Sequence, residues 1–343
     1  MCKKLMLLLF GILVLGLAGN ASGALPAGWS NQDIGTTDPG SADVVGGVWS
    51  VTGNGSDIWG NSDNCHMVYT QFSGNCEVTA LVTSVGDGTN NWAKGGVMIR
   101  ENLTGGSVNS CVMCTPSNGG GLTFQIRPTA DAASTSQHTQ APNVTPPHWV
   151  KIRRIGDTFT AWRSLDGVTW DQQGTEQTVV MAEDVYVGIV VTSHQDGELR
   201  TFTFENVTAE PVKFATVPDP ADGEVVTDLW ANLQWDAGGT AASHDVYFSE
   251  SYDAVASGTA LLGNQTDNWL LIGTGSGPYP DPLELGKTYY WRVDEVEADG
   301  VTKHPGNIWS FSLPAAIAGN PGPADGVRFV DVDVDLTWAA GYG

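Results

Sequence analysis

From Trp29 to Val207 the chain alternates apolar and polar residues in short runs broken by Gly, Asn and Asp, with no stretch of useful length at the helical period. Side chains on a strand point alternately to its two faces, so each run declares an inside and an outside. In LTFQIR, Leu122, Phe124 and Ile126 face one way, and Thr123, Gln125 and Arg127 the other. In WAKGGVMIRE, Val97 and Ile99 oppose Arg100. If Gly156-Asp157 is a two-residue hairpin loop, Val150 and Ile152 share a side with Phe159 and Ala161, while Lys151 and Arg153 share the other with Thr160 and Trp162. HMVYTQF, SGN and CEVTALV read as a further hairpin, flanked by Cys65 and Cys76. The pattern predicts an all-β chain.

The later part contains an internal repeat. PDPADGEVVTDLWANLQWDAG, opening at Pro218, aligns without a gap on PGPADGVRFVDVDVDLTWAAG, opening at Pro321, at an offset of 103 residues. Pro220, Asp222, Gly223, Leu233, Trp235 and Gly238 recur as Pro323, Asp325, Gly326, Leu336, Trp338 and Gly341. A period of this size marks a modular array. The second copy stops about two strands in, too short to bury its own apolar face. The chain therefore reads as a piece of a longer protein with further modules after Gly343. The expected organisation is a signal peptide over 1–24, a first domain over 25–208, a linker over 209–220, a repeat module over 221–314, a second linker over 315–322 and a truncated copy over 323–343.

Composition narrows the class of partner. The formal charge of −23, from 38 acidic and 15 basic residues, repels polyanions and argues against nucleic acid or an anionic membrane. Lys3 and Lys4 precede an apolar run from Leu5 to Leu17 and then the small residues Ala18, Gly19, Ala21, Ser22, Gly23 and Ala24, which predicts a Sec signal peptide and a secreted or cell-surface protein with no later membrane insertion. Four cysteines remain after the signal. A Cys65–Cys76 disulfide fits an exported chain; the alternative is four small buried hydrophobes. Cys111 and Cys114 form a CxxC, but three residues apart on a strand they face opposite ways, which disfavours joint ligation or a bond between them.

Residues 221–314 resemble a fibronectin type III domain: Trp235 on an early strand, LELGKTYYWRV from Leu283 to Val293, and a closing WSFS from Trp309. The resemblance implies an immunoglobulin-like sandwich with Trp235, Trp291 and Trp309 in its core and Tyr289 at the tyrosine corner, where a phenol hydroxyl ties a loop to a strand. GWSNQDIG from Gly28, GSDIWG from Gly55, WAKGGVMIRE from Trp92, HWVKIRRIGDTFTAWRSLDGVTW from His148 and VYVGIVVTSH from Val185 resemble the concanavalin A-like lectin/glucanase superfamily, in its exported bacterial jelly-roll form of undefined function. That resemblance implies an N-terminal jelly-roll β-sandwich in which the outer face of one sheet can hold a glycan. It implies no cofactor beyond a structural calcium, which no residue pattern locates. Trp162 with Arg100, Gln125, Arg127, Lys151 and Arg153 would supply a flat aromatic and planar hydrogen-bonding groups for sugar. The competing reading is a solvated sheet face with Trp162 packed over the Lys151 stem. Trp59 and Trp92, in loop-like contexts, are secondary candidates.

Signs of catalysis are weak. Retaining glycosidases place two carboxylates about 5–5.5 Å apart, whereas Glu77, Glu101, Glu176, Glu183, Glu198 and Glu205 are scattered singly. Asp294, Glu295 and Glu297 cluster, but read as a solvated rim of the repeat module. Ser164 to Trp170 (SLDGVTW) is similar to an Asp-box one residue short, and reads as a turn. Asp331, Asp333 and Asp335 alternate like a calcium loop but lack its glycine and distal glutamate. The leading expectation is a non-catalytic carbohydrate-binding or adhesion module, partnered by polysaccharide or cell-surface glycan. The alternatives are a structural spacer or protein-contact module and, third, part of a glycoside hydrolase.

Overall fold

The computed structural model describes residues 23–36, 38–116, 120–139, 144–316, 319–324, 326–328 and 333–339. The expected signal peptide through Ser22, and Asp331 of the acidic alternation, lie outside them. The protein is an all-β sandwich protein built almost entirely of antiparallel sheets, with one short helix among the described residues, Tyr252–Ala256.

In the N-terminal half, a seven-stranded sheet runs in the order Ser30–Ile34, Cys65–Ser73, Asp184–Thr192, Lys94–Arg100, Asn109–Cys114, Leu122–Arg127 and Thr135–Thr139. It packs on an eight-stranded sheet whose central strands are Thr158–Ser164, His148–Ile155, Cys76–Ser84, Gln195–Pro211 and Val48–Gly55. Between them lies the main core. Val97, Ile99, Val112, Leu122, Phe124 and Ile126 come from the first sheet, and Val78, Val82, Val150, Ile152, Phe159, Phe202 and Phe204 from the second. Alternation predicts these faces correctly. The Gly156-Asp157 loop is also present: Ile155 pairs Thr158, and Lys151 stands opposite Trp162.

The strands bearing Cys65 and Cys76 do not pair. Cys65–Ser73 bonds to Ser30–Ile34 and Asp184–Thr192, whereas Cys76–Ser84 bonds to His148–Ile155 and Gln195–Pro211. The SGN turn thus crosses between sheets instead of closing a hairpin, and both cysteines are free and buried. Cys65 lies in a small outer core and Cys76 in the main one. The expected disulfide is therefore not formed. Cys111 and Cys114 do face opposite ways, Cys111 into the outer core and Cys114 into the main one.

That outer core distinguishes the seven-stranded sheet. Strands Lys94–Arg100, Asn109–Cys114 and Leu122–Arg127 are buried on both faces. Ile34, Cys65, Met67, Met98, Cys111, Met113 and Val190 form an apolar layer on the side away from the main core, joined by Ile58. Ile58 comes from residues 56–64, whose hairpin pairs Ile58 with Asp63 and Trp59 with Ser62.

A separate cluster between Ala215 and Leu313 holds Trp235, Trp291, Trp309, Tyr289 and Phe311 between a three-stranded and a six-stranded sheet. The three tryptophans read as core are buried. Tyr289 Oη accepts the Glu284 N–H at 2.9 Å, tying a loop to its strand. Asp294 and Glu295, read as a solvated rim, are buried: Glu295 takes the Gly238 N–H at 2.9 Å and is bonded to His244 Nδ1. Glu295 shares the inward parity of Trp291 and Val293, while Asp294, on the other face, accepts from Arg292 Nη2 at 3.0 Å and the Gly306 N–H at 3.2 Å. Much of the span 209–220, read as a linker, is strand, since Gln195–Pro211 ends and Thr216–Asp219 begins within it. The repeat reappears as structure. Thr216 pairs Asp236 and Asp219 pairs Gln234; 103 residues on, Gly319 pairs Ala339 and Gly322 pairs Thr337 in the same register.

Candidate functional site: a tryptophan-walled cleft

Over the outer face of the seven-stranded sheet, the 56–64 segment leaves part of the surface open as a cleft of about 340 Å³, lined by Asp57, Trp59, Trp92, Lys94, Gln125, His138 and His194. Its floor comes from strands. Lys94 and Gln125 occupy outward positions on neighbouring parts of the sheet and are almost fully buried, so their polar ends are fixed. Gln125 Nε2 donates to the Ile58 carbonyl at 2.7 Å, which leaves its Oε1 as the uncommitted end of the amide. Lys94 Nζ donates to Asp57 Oδ1 and lies 6.0 Å from the Trp59 ring centroid.

The walls come from loops. Trp59 is 41% and Trp92 43% exposed, large values for indoles flanking a concave site. Asn90 couples the two loops on one side: its Oδ1 accepts the Trp92 N–H at 2.9 Å and its Nδ2 donates to the His194 carbonyl at 2.8 Å. His194 has φ +58, a left-handed conformation uncommon for a residue with a side chain. Its Nε2 lies 3.2 Å from Asp57 Oδ2. His138 meets the Trp92 ring edge to face at 6.5 Å. Burial, and secondarily the Lys94 ammonium, lower the His138 pKa from its ordinary value, which favours the neutral ring. Asp57 and Lys94 neutralise each other. The cleft therefore offers two aromatic faces with an uncharged balance of donors and acceptors.

Beneath the 56–64 segment sits a buried ionic knot. Asp63 is fully buried and accepts from Arg127 Nη1 at 2.7 Å and Asn109 Nδ2 at 2.9 Å, with Arg100 Nη1 at 3.5 Å. Arg127 also reaches the Gly105 and Ser107 carbonyls, and Arg100 Nε donates to the Asn102 carbonyl at 2.7 Å. Such a knot holds only when its lone pairs and protons are satisfied, and these contacts fix the segment that carries Trp59.

The structure divides the residues expected to share one glycan face. Trp59, Trp92 and Gln125 come together in the cleft. Arg100 and Arg127 lie on the same sheet face but are buried against Asp63, out of a ligand's reach. Trp162, Lys151 and Arg153 belong to the other sheet and face away from the main core on the opposite side of the sandwich. There Lys151 Nζ lies 5.2 Å from the Trp162 ring and 4.1 Å from Trp170, and Arg153 lies 5.0 Å from both Trp162 and Phe214 while Nε donates to Glu77 at 2.6 Å. This is the packed cation-on-indole face of the competing reading. Alternation assigns inward and outward but not the sheet, so the sequence alone does not separate the two sets.

Asp57, Lys94, His138 and His194 are additional. Lys94 shares the outward parity of Arg100, a signal present in the sequence; Asp57 and His194 arrive by loop placement and leave none, and His138 comes from the strand Thr135–Thr139, opposite Thr123. The Asp-box-like segment is a turn: Asp166 Oδ1 accepts the N–H groups of Val168 at 2.8 Å and Thr169 at 2.7 Å, which hold its carboxyl down to about 2. Among the described residues no group of three or more His, Cys, Asp or Glu is arranged to hold a metal.

No protein-family model matches the chain, and no curated protein sequence does. Among solved structures the chain is similar to a functionally unknown protein from Saccharomyces cerevisiae, with a TM-score of 0.42 and 14% identity, covering 53% of this chain and 95% of that one. It is also similar to carbohydrate-binding module CBM66 from Bacillus subtilis, with a TM-score of 0.37 and 17% identity over 53% and 95% of the two chains. A lectin from Bauhinia forficata in complex with GalNAc has a TM-score of 0.36 and 10% identity over 55% and 95%.

Proposed function

We propose that this protein is a secreted, non-catalytic carbohydrate-binding module that holds a neutral saccharide in the cleft between Trp59 and Trp92. The observation that carries the reading is the pairing of two half-exposed indoles with fixed polar groups, Lys94, Gln125 and Asp57, on one concave surface. A sugar ring presents C–H faces to aromatics and hydroxyls to such groups, and a small number of placed polar contacts in an aromatic pocket is the usual form of a ligand site. The N-terminal sandwich fits a concanavalin A-like jelly roll and the following unit a fibronectin type III-like spacer. Binding without hydrolysis is supported by the cleft lining, in which, among the described residues, Asp57 is the single carboxylate and is engaged by Lys94 and His194; acid–base glycoside cleavage uses two.

The test is affinity electrophoresis and calorimetry against a panel of neutral soluble polysaccharides and oligosaccharides. Trp59→Ala and Trp92→Ala are each expected to weaken binding about tenfold or more, the scale of a buried aromatic anchor, and Trp162→Ala to leave it unchanged. Equal binding by all three variants would overturn the assignment.

A further inference from the structure

The three-stranded sheet of the second β-unit carries a second aromatic surface. Ala231, Leu233 and Trp235 point into its core, so by alternation Asn232, Gln234 and Asp236 lie on the outer side of the strand Ala231–Asp236, and exposed Trp230 stands immediately before its first residue. The neighbouring strand places Trp269 opposite Gln234 and Leu271 opposite Asn232. Trp230 is 47% and Trp269 45% exposed. The two indoles thus stand towards opposite ends of a flat strip, roughly 13 Å apart along the strand at about 3.3 Å per residue, with uncharged amides between them.

The internal repeat tests whether the fold needs these residues. In the second copy the core positions are kept, Leu233 as Leu336 and Trp235 as Trp338, and the hairpin register is the same. The outward positions are replaced: Trp230, Asn232 and Gln234 become Asp333, Asp335 and Thr337. An exposed indole at the Trp230 position is therefore not a requirement of the hairpin, and its presence in the first copy calls for another explanation.

We infer that the Trp230–Asn232–Gln234 row with Trp269 is a second docking strip for an uncharged polysaccharide chain laid along the sheet. Charge complementarity selects the occupant. The strip's carboxylates are Asp219, opposite Gln234, and Asp236, both exposed at one end, which would accept hydroxyls and, within a molecule of charge −23, repel an anionic chain. The choice of polysaccharide among neutral ligands rests on the carbohydrate reading of the cleft. Two sites on one chain would raise retention on a surface through effective concentration, with no change in affinity for a short soluble oligosaccharide.

The test uses the full chain and sedimentation with insoluble cellulose, xylan, chitin and β-1,3-glucan. With the cleft disabled by Trp59→Ala and Trp92→Ala, retention on at least one of these is expected to persist. Adding Trp230→Asp and Trp269→Ala is expected to lower it about tenfold or more. Trp230→Asp installs the residue the second copy carries at the aligned position, and unchanged thermal melting checks that folding is retained. In the otherwise unaltered protein the same strip substitutions should leave soluble-oligosaccharide affinity as it was, which separates failure of the strip from failure of the cleft. No retention by the cleft-disabled chain, or retention indifferent to the strip, overturns the inference. So does a concentration-dependent dimer, seen by light scattering, that the strip substitutions abolish, because the strip would then be an interface between copies.

Discussion

Gly120 stands against the edge of the Trp92 indole, where an added Cβ would lie 2.6 Å from the ring. Trp92 is half-exposed and can swing away, so Gly120→Ala should displace the cleft wall at little cost to stability; the expected result is weaker saccharide binding with a nearly unchanged melting temperature. Asp63 is the opposite case. Asp63→Ala would leave buried Arg127 and Arg100 without their carboxylate, a loss of about 3–5 kcal/mol, read as a lower denaturant midpoint together with loss of binding as the 56–64 segment loosens. His148 sets an acid limit. Its Nδ1 is buried without a partner, and burial first, then the Arg163 charge, lower its pKa, with Asp171 opposing. The unfolded ring takes its proton near pH 6.5 while the folded one resists, so this contribution to stability is complete above about 6.5 and declines as the pH falls below it. Melting measured from pH 7.5 to 5 should fall less steeply for His148→Asn. Of these residues, Asp63 and His148 look in the sequence like ordinary strand-end polar positions, because what makes them matter is burial by distant chain.

Elements were more legible than single side chains. Alternation in LTFQIR and in the strands around Gly156-Asp157 gives the correct inward faces, since a strand with one apolar side has one workable register. It does not say which sheet a strand joins. Cys65–Ser73 and Cys76–Ser84 look like a hairpin because they are adjacent and similarly patterned, yet each finds its partners far away in the chain. Nor does alternation show that the outward side of Lys94–Arg100 is covered again by Ile58 and its neighbours. The turn between the two cysteine-bearing strands has its own role. Asn75 Oδ1 accepts the Gly156 N–H at 2.8 Å, its Nδ2 donates to Thr216 Oγ1 at 3.1 Å, and its carbonyl accepts the Val212 N–H at 3.1 Å. The 212–216 segment is thereby fastened to the N-terminal sandwich. Asn75→Ala should release it, and limited trypsin digestion followed by mass spectrometry should then show faster cleavage after Lys213.

At the scale of the whole molecule, the 103-residue offset is the feature most plainly written in the sequence, and it returns as identical strand pairing at both positions. The core of the first copy is closed by strands further along the chain, while in the second Trp338 is 64% exposed. The four described cysteines, all free and buried, give the molecule a different kind of independence. Burial pushes the Cys65, Cys76 and Cys114 thiols up to about 12 and Cys111 higher still, so none supplies thiolate at neutral pH. Ellman's reagent should leave them untouched in the native protein and label them on denaturation, and millimolar reductant should not shift the melting curve. With no cross-link among its described residues, the folded part of the chain needs no disulfide oxidase or disulfide isomerase to reach its native state. It can be produced intact in a reducing cytoplasm and tolerate an anoxic or sulfide-rich setting in which disulfide-stapled binders would come apart.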